Sequence, residues 1–243
     1  MTNLKRTLVR TSGVMAMVIV FFAPGCRVQK ETDGSLRFKS LDLSVTELIT
    51  MALDPDDADK RREGIMGLSQ HPWGLKETVQ VTDDKGKVKT VEVLKVYHLI
   101  ASMPHEDITV RGVAVNALGR AGNPKYIATV LLCLEDNSVS LRWDSAIALD
   151  NVIGPQAVKP LEDHALRDPS MDVRSACAKA LRHYKQQSVV ESLCRILNDH
   201  EFSVRFQAHA SLVELTGRDL AYDTDEWRMA VMRNPLTTQP AGK

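Results

Sequence analysis

A pattern centred on arginine recurs through the middle of the chain and limits the possible folds more than any other feature. Each copy has small residues three and six positions after the arginine and a leucine seven positions after it. The four matching segments are Val110–Leu118, Leu141–Leu149, Val173–Leu181 and Val204–Leu212. Their arginines are separated by 31, 32 and 31 residues. A fixed period of this length is typical of stacked structural repeats.

A degenerate fifth copy, Lys60–Leu68, precedes the four regular ones. Its arginine lies 50 residues before Arg111, which indicates an insertion of about 19 residues in the first unit. The small residues and the leucine of each copy fall on one face of a helix. A second helix, which the sequence predicts after a Gly, Asn or Pro break, could approach that face closely. We expect Pro160, which lies deeper in its segment, to end or kink the preceding turn.

Each second helix ends at an aspartate that lies six residues before the arginine of the next copy. This spacing, together with the V-R-x-x-A-x-x-A-L core, resembles HEAT repeats, most closely the short bacterial subtype also found in phycobilisome lyases. The resemblance covers residues 54–216 and implies an all-α, right-handed α-solenoid of about five helical hairpins over residues 44–234, with a small β-hairpin insertion.

The family resemblance also implies a structural ladder, in which successive aspartates and arginines pair along the stack. The residues that match it are Arg111, Asp136, Arg142, Asp168, Arg174, Asp199 and Arg205. The first repeat departs from the pattern, because Asp107 lies only four residues before Arg111 and His105 occupies the six-residue position. We therefore expect the ladder to be broken or shifted there.

Both ends of the array carry atypical segments. Ser44 and Glu47 form a capping box, which predicts a helix through about Leu53. At the other end a short helix should hold Trp227 in its first turn. Solenoids need an atypical final unit to cover their last apolar face, so Trp227 is interpreted as a capping plug, with a ligand platform as the alternative.

The insertion has the pattern of a β-hairpin over residues 78–93. Thr78–Thr82 and Thr90–Val93 alternate with period two, and Gly86 is the expected turn residue with positive φ. The hairpin either extends a binding surface, with His71 and Trp73 at its base, or is a tolerated surface excursion.

The N-terminus has the layout of a secretory signal. Lys5, Arg6 and Arg10 precede an unbroken apolar run, Val14–Ala23, which is too short to span a bilayer as a helix. The run leads to Gly25 and Cys26 in an arrangement that resembles the bacterial lipobox, although Ala23 and Pro24 depart from its usual residues. The sequence therefore predicts a signal peptide over 1–25 and lipidation at Cys26. Ordinary cleavage nearby, with Cys26 as a free thiol, is the alternative.

Two short segments flank the repeats. Residues 26–43 are polar and weakly patterned, which favours a tether, and residues 235–243 are predicted to be a flexible tail.

Nothing in the sequence indicates catalysis, and we expect no enzyme activity, no cofactor and no metal. The motifs HExxH, GxSxG, CxxC and the Walker loop are absent. Cys133, Cys177 and Cys194 occupy apolar or small positions of helices, which favours buried structural side chains. His164, beside Glu162, comes nearest to a metal cluster, but neighbours on a helix point in different directions. With 31 basic and 31 acidic residues, the chain shows no basic excess for nucleic acid.

The leading functional hypothesis is a protein-binding scaffold, a lipoprotein of the bacterial cell envelope that docks an envelope protein or peptide. Repeat arrays expose an extended concave surface, here expected from the second helices. Its candidate residues are Lys125, Tyr126, Thr129, Lys159, Asp163, Glu191 and Arg195. The alternatives are a chromophore or ligand lyase, by resemblance to the phycobilisome lyases, and a purely structural envelope component.

Overall fold

The computed structural model describes residues 26–30, 36–40, 43–82 and 86–233. The predicted signal peptide over 1–25 and the predicted tail over 235–243 lie outside these residues. The chain divides into two units, Met1–Asp42 and Leu43–Lys243.

The first unit contains two short strands, β1 (Cys26–Lys30) and β2 (Leu36–Ser40), paired antiparallel with Val28 opposite Phe38. They lie in the segment that the sequence predicts as a tether. The reason is visible in the sequence, since Val28, Leu36 and Phe38 alternate with polar residues at the period of a strand.

The second unit is a helical solenoid, as predicted. Its helices are α1 (Val45–Ala52), α2 (Ala58–Gln70), α3 (Val93–Ser102), α4 (Ile108–Ala121), α5 (Ile127–Leu134), α6 (Val139–Ala148), α7 (Val158–Arg167), α8 (Met171–Ala180), α9 (Gln187–Ile196), α10 (Phe202–Thr216) and α11 (Thr224–Arg233). In the part of the chain that the structure describes, sequence neighbours pack as five pairs, α1 on α2, α3 on α4, α5 on α6, α7 on α8 and α9 on α10, which agrees with the predicted number of hairpins, and α11 follows them. Helix α1 begins with the predicted capping box of Ser44 and Glu47. Within the described residues, no helix combines the length and apolarity needed to cross a membrane.

The helices form two layers. The first-helix layer contains α2, α4, α6, α8 and α10, each packed against the next. The second-helix layer contains α3, α5, α7, α9 and α11, in which α3 packs on α5, α7 on α9, and α9 on α11. The small residues of the repeat explain the close packing of the first layer. A Cβ atom added at Gly119 of α4 would lie 2.7 Å from Cα of Ala148 in α6.

The hydrophobic core lies between the two layers. The leucines of the four regular copies, Leu118, Leu149, Leu181 and Leu212, are all buried in it. The core therefore repeats with the sequence period, and each hairpin contributes the same positions to it.

The insertion forms the predicted β-hairpin, with strands β3 (Val79–Thr82) and β4 (Val88–Val91) paired antiparallel. Gly86 has a φ of 74°, in the region that glycine adopts without a steric penalty. The hairpin ends earlier than predicted, because Val93 already begins α3.

Pro160 lies in the first turn of α7, and the preceding turn, Pro155–Ala157, ends as a separate 3-10 helix before α7 begins, in agreement with our prediction. Pro160 is the third residue of α7, where backbone N–H groups have no partner within the helix, so its missing N–H costs nothing.

Candidate binding surface and the joints that position it

The loops that lead into the first helices are built around the arginines of the repeat. We use "joint" for the loop that runs from the end of a second helix to the next first helix. Arg142 donates from Nε and Nη2 to the two carboxylate oxygens of Asp168, at 2.8 and 3.0 Å. Arg174 binds Asp199 in the same way, at 2.8 and 3.0 Å. Such two-pronged pairs combine strength with strict geometry.

The same arginines also hold the backbone of their own joint. Nη1 of Arg142 donates to the carbonyl of Asp136 at 3.0 Å, and Nη1 of Arg174 to that of Asp168 at 2.9 Å. Each arginine therefore links its own joint to the following one. This arrangement fixes the angle between neighbouring hairpins, and with it the position of the second-helix layer.

Asp168 is the most enclosed of these carboxylates, with a side chain only 1% exposed. It accepts from the backbone N–H of Ser170 at 2.9 Å, and Nδ1 of His164 lies 2.9 Å away. Burial opposes ionisation, but the hydrogen bonds from Arg142, Ser170 and His164 outweigh it and hold the pKa of Asp168 below its usual value. The carboxylate therefore stays charged inside the joint.

The carboxyl groups of Asp136 and Asp199 also have lowered pKa values, as that of Asp168 does. Burial again opposes ionisation, and hydrogen bonds from a backbone N–H and from Arg111 or Arg174 lower the pKa of each carboxyl. Nη1 of Arg111 lies 2.8 Å from Asp136, whereas its Nε donates to the carbonyl of Ala101 at 3.1 Å.

The first joint uses a different acid. Arg61 pairs with Glu106 at 2.7 Å, and its Nη1 donates to the carbonyl of Asp54 at 2.8 Å. Asp107 instead caps α4 by accepting from the N–H groups of Thr109 and Val110. The ladder is therefore shifted by one residue in this repeat, and Glu106 takes the place of the joint aspartate. The sequence analysis did not single out Glu106. The buried Nε of Arg61 has no hydrogen-bond partner among the described residues.

Arg205, the last predicted member of the ladder, is held on one side only. Its Nη1 donates to the carbonyls of Asp199 and His200, at 2.7 and 3.0 Å. No carboxylate in the described part of the chain lies within ion-pair distance of its guanidinium. The guanidinium carbon lies 5.7 Å from the centre of the Phe202 ring.

The predicted concave residues belong to the second-helix layer and its approaches, but they do not form one continuous exposed face. Lys125, Lys159, Glu191 and Arg195 are exposed and Asp163 is half-buried. Several are engaged in pairs. Lys159 lies 2.7 Å from Asp163, and Lys125 forms an ion pair with Glu77 beside the hairpin.

The prediction was wrong for Tyr126 and Thr129, which are only 6% and 5% exposed. The packing of α3 against α5 covers both. Oγ1 of Thr129 lies 2.6 Å from Nδ1 of His98, and the rings of Tyr126 and His98 are 5.8 Å apart.

A groove of about 410 Å³ lies between α9 and α11 in the second-helix layer. Its lining combines apolar side chains with charged and amide groups: Gln187, Val190, Glu191, Cys194, Arg195, Arg228, Val231 and Met232. It therefore includes two of the predicted residues, Glu191 and Arg195. Sequence reasoning missed Arg228, Val231 and Met232, because the last helix does not carry the repeat pattern.

Polar groups in this groove are available for a ligand. Within the described residues, neither Arg195 nor Arg228 has a carboxylate partner, and Arg195 contacts only the hydroxyl of Ser192, at 3.1 Å. Nε2 of Gln187 donates to Glu191 at 3.1 Å, whereas Oε1 of Gln187 is buried without a partner. The groove thus offers two guanidinium groups and one carboxylate beside an apolar lining. These are the groups that recognise a peptide with a carboxylate and an apolar side chain.

Trp227 and the three cysteines are all buried in the protein. Trp227 is fully buried, and its Nε1 donates to the carbonyl of Ala221 at 2.8 Å, which agrees with the predicted role of a capping plug. Cys133, Cys177 and Cys194 are buried free thiols. Burial raises the pKa of all three, that of Cys194 to about 11, so the reactive thiolate is disfavoured.

The described residues contain no group of three side chains able to hold a metal ion. His164, the residue nearest to a cluster in the sequence, faces Asp168 and lies 3.3 Å from Glu135. Its ring is therefore part of a joint.

Comparison with known proteins identifies the class. Residues 96–182 match the family model of HEAT repeats, so this segment of the chain contains HEAT repeats. A search of curated proteins finds no match. Several solved structures share the fold, and because their sequence identities to this chain are below 25%, they show the fold alone.

Three of these structures show which kinds of protein share the fold. The complex of CpcE and CpcF of phycocyanin lyase from Nostoc has 15% identity and a TM-score of 0.56, covering 79% of this chain and 70% of that chain. YibA of Escherichia coli has 21% identity and a TM-score of 0.54, covering 80% and 64%. A designed armadillo repeat protein in complex with the peptide (KR)4 has 14% identity and a TM-score of 0.54, covering 80% and 90%.

Proposed function

We propose that this chain is a non-enzymatic HEAT-repeat scaffold of the bacterial cell envelope, which binds a peptide or protein through its second-helix layer. The observation that carries the proposal is the groove between α9 and α11, where two arginines without a carboxylate partner in the described part of the chain lie beside an apolar lining. The designed armadillo neighbour supports it at the level of the fold, because that protein is in complex with a peptide.

The charges of the groove indicate which ligand it prefers. Arg195 and Arg228 outnumber Glu191, and Glu191 already accepts from Gln187. The partner segment should therefore carry a carboxylate for the guanidinium groups and an apolar side chain for Val190, Val231 and Met232.

The test is a crosslinking capture from envelope extract, with the Cys26→Ser chain as bait. We expect the partner to be captured by this bait and lost from a bait that also carries Arg195→Ala and Arg228→Ala. Lys159→Ala is the matched control, because Lys159 is an exposed cation of the same layer that lies outside the groove. Capture that survives the double substitution would show that the groove is not the binding site.

Membrane anchoring through Cys26 is a separate part of the proposal, supported by the basic N-terminus, the short apolar run and the cysteine that follows it. Cys26→Ser should move the protein from the membrane fraction to the soluble fraction. An unchanged distribution would rule out the lipid anchor.

A lyase-like activity on a chromophore is the second candidate, supported by the structural likeness to the phycocyanin lyase complex. Covalent handling by Cys133, Cys177 or Cys194 would require a thiol that reaches solvent, and all three are buried. Incubation with a bilin, followed by an absorbance spectrum, tests this candidate directly.

A further inference from the structure

The first-helix layer exposes large apolar side chains on the surface that turns away from the core. They occupy the positions three residues before and one residue after the repeat arginine, with Ile147 of α6 in addition. We call this set the apolar face, and its members are Val139, Trp143, Ile147, Met171, Phe202 and Phe206. These residues are between 39% and 63% exposed. The core between the two layers is closed without them.

Helix α6 holds the densest part of the apolar face. Val139, Trp143 and Ile147 follow one another at intervals of four residues, which places them on one side of the helix. Met171 of α8 and Phe202 of α10 have the same position in their repeats as Val139 has in α6. The apolar line of α6 therefore continues onto the two following first helices.

The charged side chains of these helices are mostly held in ion pairs or partly buried. Lys179 of α8 lies 3.2 Å from Asp150, which also binds Arg182 at 3.1 Å. Asp144 of α6 is half-buried, and burial raises the pKa of its carboxyl. Asp172 is left as an exposed acid of α8. The surface therefore combines a row of apolar side chains with little free charge.

The second-helix layer has a different surface. Glu191, Arg195 and Arg228 line its groove between α9 and α11. Its exposed Leu132 is followed one turn later by the exposed Glu135. The charged groove suits a peptide with a carboxylate, whereas the apolar face suits an apolar surface. Exposed apolar patches mark sites of contact with a protein or a membrane.

The chain before the array favours a membrane. The sequence predicts lipidation at Cys26, and only residues 27–42 separate this cysteine from the second unit, which begins at Leu43. A segment of this length reaches at most about 55 Å when fully extended. A lipid at Cys26 therefore keeps the array beside a bilayer. Tryptophan is enriched at the boundary between bilayer and water, and phenylalanine is common on helix faces that lie in it.

We propose that the apolar face lies on the bilayer that holds the lipid anchor, with Trp143 in the interfacial region. The occupant of this face is a phospholipid surface, and the contact adds to the anchor. The second-helix layer then faces away from the bilayer and presents its groove to a peptide. The inference rests on the proposed anchoring through Cys26 and does not depend on what the groove binds.

The fluorescence of Trp143 reports this contact directly. The full lipidated chain is reconstituted into vesicles of phosphatidylethanolamine and phosphatidylglycerol, with or without dibrominated acyl chains, which quench a tryptophan only on contact. Subtracting the signal of Trp143→Phe from that of the wild type isolates Trp143 from the other two tryptophans. We expect the Trp143 signal to fall in brominated vesicles.

A tryptophan on the opposite layer is the matched control. Leu132→Trp in the Trp143→Phe background places the same probe at an exposed position of α5 with the same anchor. We expect no quenching of this probe. Ile147→Ser together with Met171→Ser should reduce the quenching of Trp143, because both side chains belong to the apolar face and neither is in the core. Circular dichroism melting shows that each variant is folded.

Vesicle flotation separates this inference from the anchor on which it rests. A chain that floats with the vesicles while Trp143 stays unquenched keeps the anchor and overturns the contact. A face that binds a protein instead of lipid would give this result. Equal quenching at positions 143 and 132, or quenching at 132 alone, also overturns the contact, because the array then has no preferred side or the opposite one. A chain that does not float overturns both the anchor and the contact.

Discussion

The central joints and the first joint perform the same task with different geometry. At the centre, Arg142 and Asp168 share two hydrogen bonds in a nearly closed environment. In the first joint, Arg61 shares one with Glu106 and keeps an unpartnered Nε. The acid lies five residues before the next repeat arginine instead of six, and the longer glutamate side chain makes up the distance. A joint thus tolerates a shift in spacing when side-chain length compensates, but it loses the second hydrogen bond.

The largest effect is expected from removing the arginine of a central joint. Arg142→Ala leaves the carboxylate of Asp168 buried without its main partner, which costs about 3–5 kcal/mol in comparable buried pairs. Urea unfolding at pH 7 measures the loss. Arg174→Ala should behave similarly and lower the melting temperature by several degrees. Lys159→Ala is the control, because an exposed pair contributes about 0–1 kcal/mol. A central substitution no worse than this control would contradict the structural role.

Arginine-to-lysine substitutions sharpen the comparison. Arg174→Lys removes the two-pronged contact with Asp199 and should cost about 2 kcal/mol, whereas Arg61→Lys keeps one cation near Glu106 and should cost about 1 kcal/mol. Thermal unfolding of both variants gives the difference. Equal losses would mean that the second hydrogen bond of the central joint contributes nothing.

Acid should weaken the regular joints. The folded pKa values of Asp136, Asp168 and Asp199 are depressed, so their contribution is complete above the unfolded value of about 3.9. It is lost as the pH falls through the lower folded values. The free energy of unfolding should therefore decline between about pH 5 and pH 2, and Asp168→Asn should decline less steeply than the wild type. A free energy that stays constant over this window would rule out the linkage.

The smallest effect on stability is expected from the insertion. Replacing residues 78–92 by a short Gly-Ser linker removes the hairpin, in which Val79 and Val91 pack on the core among the side chains that are described. An isolated hairpin is marginal, so the cost should be about 1 kcal/mol or less. Thermal unfolding together with partner capture distinguishes its two interpretations. Binding lost from a folded array supports a role in recognition, whereas retained binding indicates a tolerated excursion.

The repeat period predicted most of the fold. It placed the helices, the buried leucines and the arginine and aspartate of each regular joint, because every copy has the same neighbours on both sides. Local signals added the capping box of Ser44 and Glu47 and the positive φ of Gly86. These features depend on residues close in sequence or on a strict repetition.

Only the tertiary structure decided what happens where the repetition breaks. It buried Tyr126 and Thr129 under α3, assigned Glu106 to the first joint, and formed the groove from α9 and a last helix without the repeat pattern. A period shows which residues share a face of a helix, but exposure depends on how far the neighbouring helix reaches over that face. Beside an insertion or a cap that neighbour differs from all the others, so its reach is set by three-dimensional packing.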